Sequence, residues 1–208
     1  GGERKGDHVW YCDPLDGTTN FVHGHFFWAV SVGLLDREGI PMAGAVVAPA
    51  LGTRWVGYRG GGAARNGEPC RVSQTQKLTA ALVATGFPYV GRDRAPDNNF
   101  ATFARVKQAV RGVRRCGSAA LDACLVADGT YDAYWERALQ PWDVAGGLAV
   151  LLAAGGTLTA LDGSPASLDR GNIVASNGLL HDALVALVLG RELPQREPQS
   201  EESLGNSP

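Results

Sequence analysis

The sequence carries no surplus of either charge. Nineteen lysines and arginines face 21 aspartates and glutamates, so the formal net charge is −2 at pH 7. Nucleic-acid-binding proteins usually show a basic surplus or stripe, and proteins that bind membrane surfaces often carry a polybasic segment. The chain also lacks any apolar run near the roughly 18 residues of a membrane-spanning helix. We therefore expect neither a nucleic acid nor a membrane as a partner.

Cysteine is scarce, and its spacing excludes two further classes of protein. The four cysteines, Cys12, Cys70, Cys116 and Cys124, form no CxxC pair, and none stands at metal-ligand spacing from a histidine. This pattern excludes a zinc site and a disulfide scaffold. It is typical of free, mostly buried thiols in a reducing compartment, and we therefore expect a cytoplasmic protein.

The chain has enough apolar residues for a substantial core. It contains 208 residues, of which 45% are hydrophobic and 19% charged, as in globular domains. Residues 191–208 differ, because they contain three prolines and almost nothing apolar. The composition predicts one domain over residues 1–190 and a disordered tail over residues 191–208.

The first half of the chain has the pattern of antiparallel strands. The segment 26–35 alternates bulky residues at even positions with small residues at odd positions. We expect both faces of this strand to be covered, with close packing on the small face. The pair Asn66-Gly67 is typical of a hairpin turn, because both residues tolerate positive φ. The other strands predicted here are residues 8–12, 42–48, 53–58 and 82–85.

The second half alternates helices and strands, as layered α/β structures do. Ser118 is predicted to cap a helix that ends near Asp128, and Pro141 opens an apolar helix that stops at Gly155-Gly156. The remaining predicted elements are helices at 97–111 and 179–189 and strands at 113–116, 132–136 and 172–176.

The densest chemical signal follows the first predicted strand, in residues 13–20, DPLDGTTN. Asp13, Asp16 and the Leu15 carbonyl offer the hard oxygen ligands that suit Mg²⁺. Backbone N–H groups near Gly17 and Thr18 offer an anion site where a helix begins. A metal beside a phosphate is what phosphoryl chemistry requires. The alternative is an ordinary turn, since Asp-Pro and Asp-Gly are common turn pairs and Asp16 or Thr18 could cap a helix.

Three other places carry weaker signals. Asp143 stands in the first turn of a helix, where it either complements the helix dipole or supplies a third carboxylate to a metal site. Gly117, Ser118 and Ala119 form a turn of small residues whose N–H groups could meet a polar ligand, or which simply caps a tightly packed helix. Glu136 ends a short strand and, taken alone, is read as an ordinary surface charge.

Together these segments resemble the inositol monophosphatase family, the Mg²⁺-dependent, lithium-sensitive sugar phosphatases. The resemblance covers residues 8–190 and implies the layered αβαβα sandwich of that family, an α+β fold. Two separate motifs in the right order are more specific than either alone. The two motifs are residues 10–21, WYCDPLDGTTNF, and residues 140–147, QPWDVAGG; residues 85–88, TGFP, 115–122, RCGSAALD, and 171–177, GNIVASN, also resemble bacterial members.

The resemblance implies a set of metal ligands. Asp13 would bridge two Mg²⁺ ions, the Leu15 carbonyl would bind one of them, and Asp16 and Asp143 would hold the other. Three converging carboxylates repel one another unless cations lie among them, which agrees with this division of roles.

The resemblance also implies the groups that meet the substrate. Thr18 would help to orient the attacking water, and the N–H groups of Gly17 and Thr18 would hold the phosphate. Asp16, Ala119 and Glu136 would contact the sugar hydroxyls, with Gly117 and Ser118 shaping that wall.

The chain departs from the family pattern at its front. Family members carry a longer N-terminal region with two long helices, a lysine, and a Glu-Glu motif whose first glutamate is a metal ligand. Glu3 stands only ten residues before Asp13 and receives no such role. We therefore expect the αβαβα sandwich to lack its first helical layer. One face of the antiparallel sheet should then expose a large apolar patch that favours self-association.

The implied function is a Mg²⁺-dependent phosphomonoesterase for inositol monophosphate or a related small polyol phosphate. Water activated by the metal would attack without a covalent intermediate, and the family suggests a homodimer. Alternatives are a phosphatase for fructose 1,6-bisphosphate, histidinol phosphate or a 3′-phosphoadenylate. A further alternative is an inactive fragment or a non-catalytic member of the family.

Overall fold

A computed structural model describes residues 7–88 and 98–192. Most of the predicted tail, residues 193–208, lies outside the described residues, as does the predicted helix start at Asp97. The strands are β1 (Val9–Asp16), β2 (Ala29–Leu35), β3 (Pro41–Ala48), β4 (Thr53–Tyr58), β5 (Gly62–Arg65), β6 (Glu68–Cys70), β7 (Leu82–Thr85), β8 (Gly112–Arg114), β9 (Ala133–Glu136), β10 (Thr157–Ala160) and β11 (Ile173–Ser176). The helices are α1 (Thr18–Val22), α2 (Phe100–Ala109), α3 (Ala119–Ala127), α4 (Pro141–Ala153) and α5 (His181–Leu189).

The first six strands form one antiparallel sheet, sheet A, in the order β1-β2-β3-β4-β5-β6. Each strand pairs with the next along the chain, so the sheet is built from consecutive hairpins. Between β5 and β6, Asn66 and Gly67 have φ angles of 52° and 92°. The hairpin turn predicted from this pair is confirmed.

The other five strands form a mixed sheet, sheet B, in the order β10-β11-β9-β7-β8. Strand β7 runs parallel to β8 and β9, while β11 pairs antiparallel with β9 and β10. The sequence did not predict β10. All four of its residues are half-buried.

Helices α3 and α4 lie between the two sheets and share one hydrophobic core with them. Helices α2 and α5 pack on the other face of sheet B in a second core. The predicted α+β architecture, an antiparallel half followed by an α/β half, is confirmed. Among the described helices, none combines the length and apolar character needed to cross a membrane.

The backbone of α4 lies directly on sheet A. Gly33, Gly44 and Gly57 are aligned across β2, β3 and β4 by the strand register. A Cβ atom at Gly33 would overlap Ala145, and one at Gly44 would overlap Gly146. The close packing expected on the small face of β2 is therefore confirmed, and it fixes the position of the helix that carries Asp143.

The opposite face of sheet A, called here the outer face, is apolar and largely uncovered by the described residues. Trp10 is 66% exposed and Tyr58 is 59% exposed. The β2 residues on this face, Val30, Val32 and Leu34, are half-buried, so the described residues cover this face of β2 only in part. By register the outer face comprises Trp10, Cys12, Val30, Val32, Leu34, Ala43, Ala45, Val47, Val56, Tyr58 and Ala64, with Arg54 at one side.

The four cysteines are free thiols, as predicted. Only Cys124 is buried, while Cys70 and Cys116 are half-buried and Cys12 is exposed. The expectation of mostly buried thiols is therefore wrong, and it fails most clearly at Cys12, because β1 turns that side chain toward the uncovered outer face.

Candidate active site

A bulge in β1 places Asp13 and Asp16 on the same face of sheet A. The sequence predicted that the first strand ends at Cys12, but it continues to Asp16. Asp13 lies opposite Ser31, and Asp16 lies opposite Ala29, with a register shift between them. One extra residue in β1 reverses the alternation, so both carboxylates face the helices. Proline is tolerated at such a bulge, which is why Pro14 does not end the strand.

Asp16 is anchored to the N-terminus of α3. Its carboxyl group is 8% exposed, and its Oδ2 accepts hydrogen bonds from Ser118 Oγ (2.5 Å) and the Ala120 N–H (2.8 Å). Ser118 Oγ also accepts from the Leu121 N–H (3.4 Å), so the predicted helix cap is confirmed. Ala119, the first residue of α3, is buried beside this contact.

The turn after β1 meets the turn before α3. Gly17 has a φ angle of +85°, and a Cβ there would lie 3.0 Å from the Phe27 carbonyl oxygen and 3.2 Å from that of Gly117. Asn20 Nδ2 donates to the carbonyl oxygens of Phe27 (2.6 Å) and Cys116 (2.8 Å). Sequence reasoning gave Asn20 no role. No local signal could have found it, because Cys116 is 96 residues away.

The hydroxyl and carbonyl groups of the first motif are ordered by local hydrogen bonds. Thr18 Oγ1 donates to the Leu15 carbonyl oxygen (3.0 Å), and the Leu15 N–H donates to Asp13 Oδ1 (3.0 Å). Helix α1 begins at Thr18. The segment is therefore a compact turn with its polar groups in fixed positions.

Asp143 lies at the N-terminus of α4 in a capping box. Its Oδ2 accepts a hydrogen bond from the Gln140 N–H (2.7 Å). The pKa of Asp16 is raised to about 7, mainly by burial and also by the negative charges of Asp13 and Asp143, while the hydrogen bonds from α3 oppose this shift. Asp16 therefore lies close enough to Asp13 and to Asp143 to feel both charges.

The donor chemistry of this site fits a divalent cation. Carboxylate and carbonyl oxygens are the ligands that Mg²⁺ prefers, and a cation would relieve the repulsion that acts on Asp16. In the described part of the chain, no group of three or more His, Cys, Asp or Glu side chains stands in an arrangement that could hold a metal ion. Asp13, Asp16, Asp143 and the Leu15 carbonyl thus offer donor atoms of the kind that Mg²⁺ prefers, but the described side chains are not gathered into such an arrangement.

Glu136 belongs to the same site. Burial raises the pKa of Glu136 to about 8, and the charges of Asp16 and Asp143 add to this shift. Its Oε2 accepts a hydrogen bond from the Tyr134 hydroxyl (2.5 Å). The interpretation of Glu136 as an ordinary surface charge is therefore wrong. Strand β9 carries this carboxyl inward, toward the carboxylates of β1 and α4.

Sequence reasoning missed two residues that contact Glu136. Tyr134 is completely buried and donates the hydrogen bond just described. Gly86 lies directly against the Glu136 carboxyl group, because a Cβ atom at Gly86 would overlap it. The alternation of β9 could have indicated that Tyr134 and Glu136 share a face, whereas nothing local indicated Gly86.

Known proteins are similar to this chain over most of its length. A family model described as the inositol monophosphatase family matches residues 2–192. The chain is 43% identical to the chloroplastic phosphatase IMPL1 of Arabidopsis thaliana, over 88% of this chain and 51% of that protein. It is 42% identical to an inositol-1-monophosphatase of Synechocystis, over 88% of this chain and 63% of that protein. It is 40% identical to a protein of Pseudomonas aeruginosa named Nus factor SuhB, over 90% of this chain and 69% of that protein.

Solved structures give the same fold. An inositol monophosphatase from Anabaena matches with a TM-score of 0.88 and 42% identity, over 93% of this chain and 76% of that one. A structure of SaIMPase-II bound to inositol monophosphate matches with a TM-score of 0.76 and 31% identity, over 88% and 71%. The chain spans about half to two thirds of the length of the first two curated relatives named above.

Proposed function

This chain belongs to the inositol monophosphatase family, and on that premise we propose that it is a Mg²⁺-dependent phosphomonoesterase for inositol monophosphate or a related small polyol phosphate. Residues 1–190 would form its catalytic domain. The observation that supports the proposal is the setting of Asp16, which is buried, is hydrogen-bonded to the start of α3, and also feels the negative charges of Asp13 and Asp143.

In the proposed mechanism Asp13, Asp16, Asp143 and the Leu15 carbonyl hold Mg²⁺. Bound Mg²⁺ supplies charge neutralisation at the phosphate and a lowered pKa for a coordinated water. Hydrolysis forms a bond between the water oxygen and phosphorus and breaks the ester bond, so the alcohol leaves and inorganic phosphate remains. No side chain needs to form a covalent intermediate in this scheme.

The remaining residues of the site bind and orient the substrate. The Thr18 hydroxyl, now donating to the Leu15 carbonyl oxygen, is placed to orient the attacking water. The N–H groups of Gly17 and Thr18 hold phosphate oxygens at the turn that Asn20 fixes. The alcohol part of the substrate meets Asp16, Ala119 and Glu136, against a wall formed by Gly117 and Ser118.

The test measures phosphate release from inositol 1-phosphate in the presence of Mg²⁺ and after addition of a chelator. Asp13→Asn should lower kcat/KM by on the order of 10³-fold, because it removes one anionic donor from the metal site. Asp169→Asn, which changes an exposed aspartate in the same way, should leave the rate unchanged. Equal rates for wild type and Asp13→Asn would contradict the proposed site.

The same assay separates the other candidate substrates. Fructose 1,6-bisphosphate, histidinol phosphate and a 3′-phosphoadenylate are tested beside inositol 1-phosphate, and the ranking of kcat/KM identifies the substrate. Inhibition by lithium and sedimentation of the active species test the proposed lithium sensitivity and homodimer.

A second candidate function is a non-catalytic role in protein assembly. The name of the Pseudomonas relative, Nus factor SuhB, favours it. Absence of phosphate release from every substrate, with the chain folded, would support this alternative over the phosphatase.

A further inference from the structure

We propose that Tyr134 and Gly86 are positioning residues: the buried Tyr134 hydroxyl and the Gly86 backbone hold the Glu136 carboxyl group in the orientation in which the proposed function has it meet the alcohol part of the substrate. The proposal rests on the proposed function and deepens it, because it names the residues that decide which alcohol part is accepted. Tyr134 is a positioning residue here, since it acts through Glu136.

Strand β9 sets the relation between the two side chains. Tyr134 and Glu136 are two residues apart on β9, so both point to the same face of sheet B. The Tyr134 ring is completely buried in the core shared with α3 and α4, and its hydroxyl donates to Glu136 Oε2 at 2.5 Å. A ring locked by packing presents its hydroxyl in one place, which fixes the carboxyl group that accepts from it.

The backbone on the other side of Glu136 is equally fixed. Gly86 contacts the carboxyl group so closely that any side chain there would displace it. The Gly86 carbonyl oxygen accepts a hydrogen bond from Asn99 Nδ2 (2.7 Å), and Asn99 Oδ1 accepts from Trp135 Nε1 (2.7 Å). Asn99 is 3% exposed and Trp135 is fully buried, so this support does not depend on solvent.

The chemistry of the held carboxyl group determines what it recognises. The Tyr134 hydroxyl engages Oε2 of this carboxyl group, and Oε1 is its other oxygen. A carboxyl oxygen accepts hydrogen bonds, so Oε1 suits a hydroxyl on the alcohol part of the substrate. A phosphate monoester without such a hydroxyl has nothing to donate there.

The experiment compares Tyr134→Phe with wild type on two substrates, inositol 1-phosphate and ethyl phosphate, whose alcohol part has no hydroxyl. The variant removes one oxygen atom from a buried ring. We expect kcat/KM for inositol 1-phosphate to fall about tenfold, mainly through KM, while kcat/KM for ethyl phosphate stays within about twofold. Gly86→Ala should show the same selective loss.

Tyr131→Phe is the matched control. Tyr131 is 6% exposed, and its hydroxyl contacts Cys116 Sγ (3.7 Å) and not a carboxylate. This variant should leave the ratio of the two kcat/KM values unchanged. An equal loss on both substrates in Tyr134→Phe, or no loss on either, would overturn the proposal.

Calorimetry of free myo-inositol binding tests the positioning role of Tyr134 even if the chain releases no phosphate. If wild type binds inositol but releases no phosphate, the proposed phosphatase fails for this chain while the positioning role is still tested. Weaker binding by Tyr134→Phe and unchanged binding by Tyr131→Phe would then support it. Failure of wild type both to bind inositol and to prefer the polyol substrate would overturn it.

Discussion

Ionisation of Glu136 is coupled to folding, because its carboxyl group is buried in the folded chain and solvated in the unfolded one. Burial moves the pKa of this group from the ordinary 4.5 to about 8. Between these values the folded chain retains a proton that the unfolded chain releases. The free energy of unfolding therefore falls as the pH rises through this window, and the contribution of the protonated group is complete below the unfolded pKa.

The variant Glu136→Gln should remove this pH dependence. In metal-free protein we expect it to raise the free energy of unfolding at pH 8 by on the order of 3 kcal/mol relative to wild type, with little change at pH 4.5. Urea unfolding at both pH values measures the difference. Glu38→Gln, at an exposed glutamate, is the control and should change neither value. Parallel pH curves for Glu136→Gln and wild type would contradict the assignment.

The sequence predicted the carboxylates of the site but not their supports. Asp13, Asp16 and Asp143 stand in two motifs whose residue order alone indicates a metal and phosphate site. Tyr134 and Gly86 act through contacts that exist only after β7 and β9 pair in sheet B. Local sequence cannot report such contacts, because they depend on which strands become neighbours.

At the scale of elements, α4 depends on the glycine row beneath it. Gly44→Ala should lower the free energy of unfolding by about 2–3 kcal/mol, because the added methyl group would overlap the backbone of Gly146. The shift of α4 should also move Asp143 and lower the rate of phosphate release. Urea unfolding measures the first effect.

The control for this prediction lies on the same strand. Ala45→Ser changes a half-buried residue of the outer face and should stay within about 0.5 kcal/mol of wild type. Similar stabilities for Gly44→Ala and Ala45→Ser would show that α4 can move away from sheet A without cost, against the packing described above.

Strand boundaries were predictable where alternation is clear and failed where it is not. Strands β4 and β7 have the bounds that the sequence predicts. Strand β1 extends past its predicted end, because the bulge resets its alternation and accommodates Pro14. Strand β10, four half-buried residues directly after Gly155-Gly156, went undetected.

At the scale of the whole molecule, the outer face presents neighbouring apolar side chains that residues 7–88 and 98–192 leave exposed or half-buried. Monomeric proteins rarely expose a large contiguous apolar patch. We expect the 208-residue chain to self-associate through this face at micromolar concentration. Val56→Lys, which places a charge at a 45% exposed position on it, should increase the monomer fraction in sedimentation and light scattering.

A matched variant separates this face from general solubility. Leu179→Lys adds the same charge at a 45% exposed position next to α5, beyond sheet B, and should leave the monomer fraction unchanged. A wild-type chain that sediments as a stable monomer would refute the prediction, as would equal effects of the two lysine variants.

The anchoring of Asp16 to α3 has a kinetic consequence. Its two hydrogen bonds span 102 and 104 residues of chain, whereas sheet A grows by hairpins between neighbouring strands. Closing a long loop costs more chain entropy than closing a hairpin, so contacts of this separation form late in folding. Strand β1, which carries both Asp13 and Asp16, can therefore pair with β2 before the site exists. During refolding, cation binding should therefore recover later than strand content. The recovery of cation binding then reports when the two halves of the chain have joined.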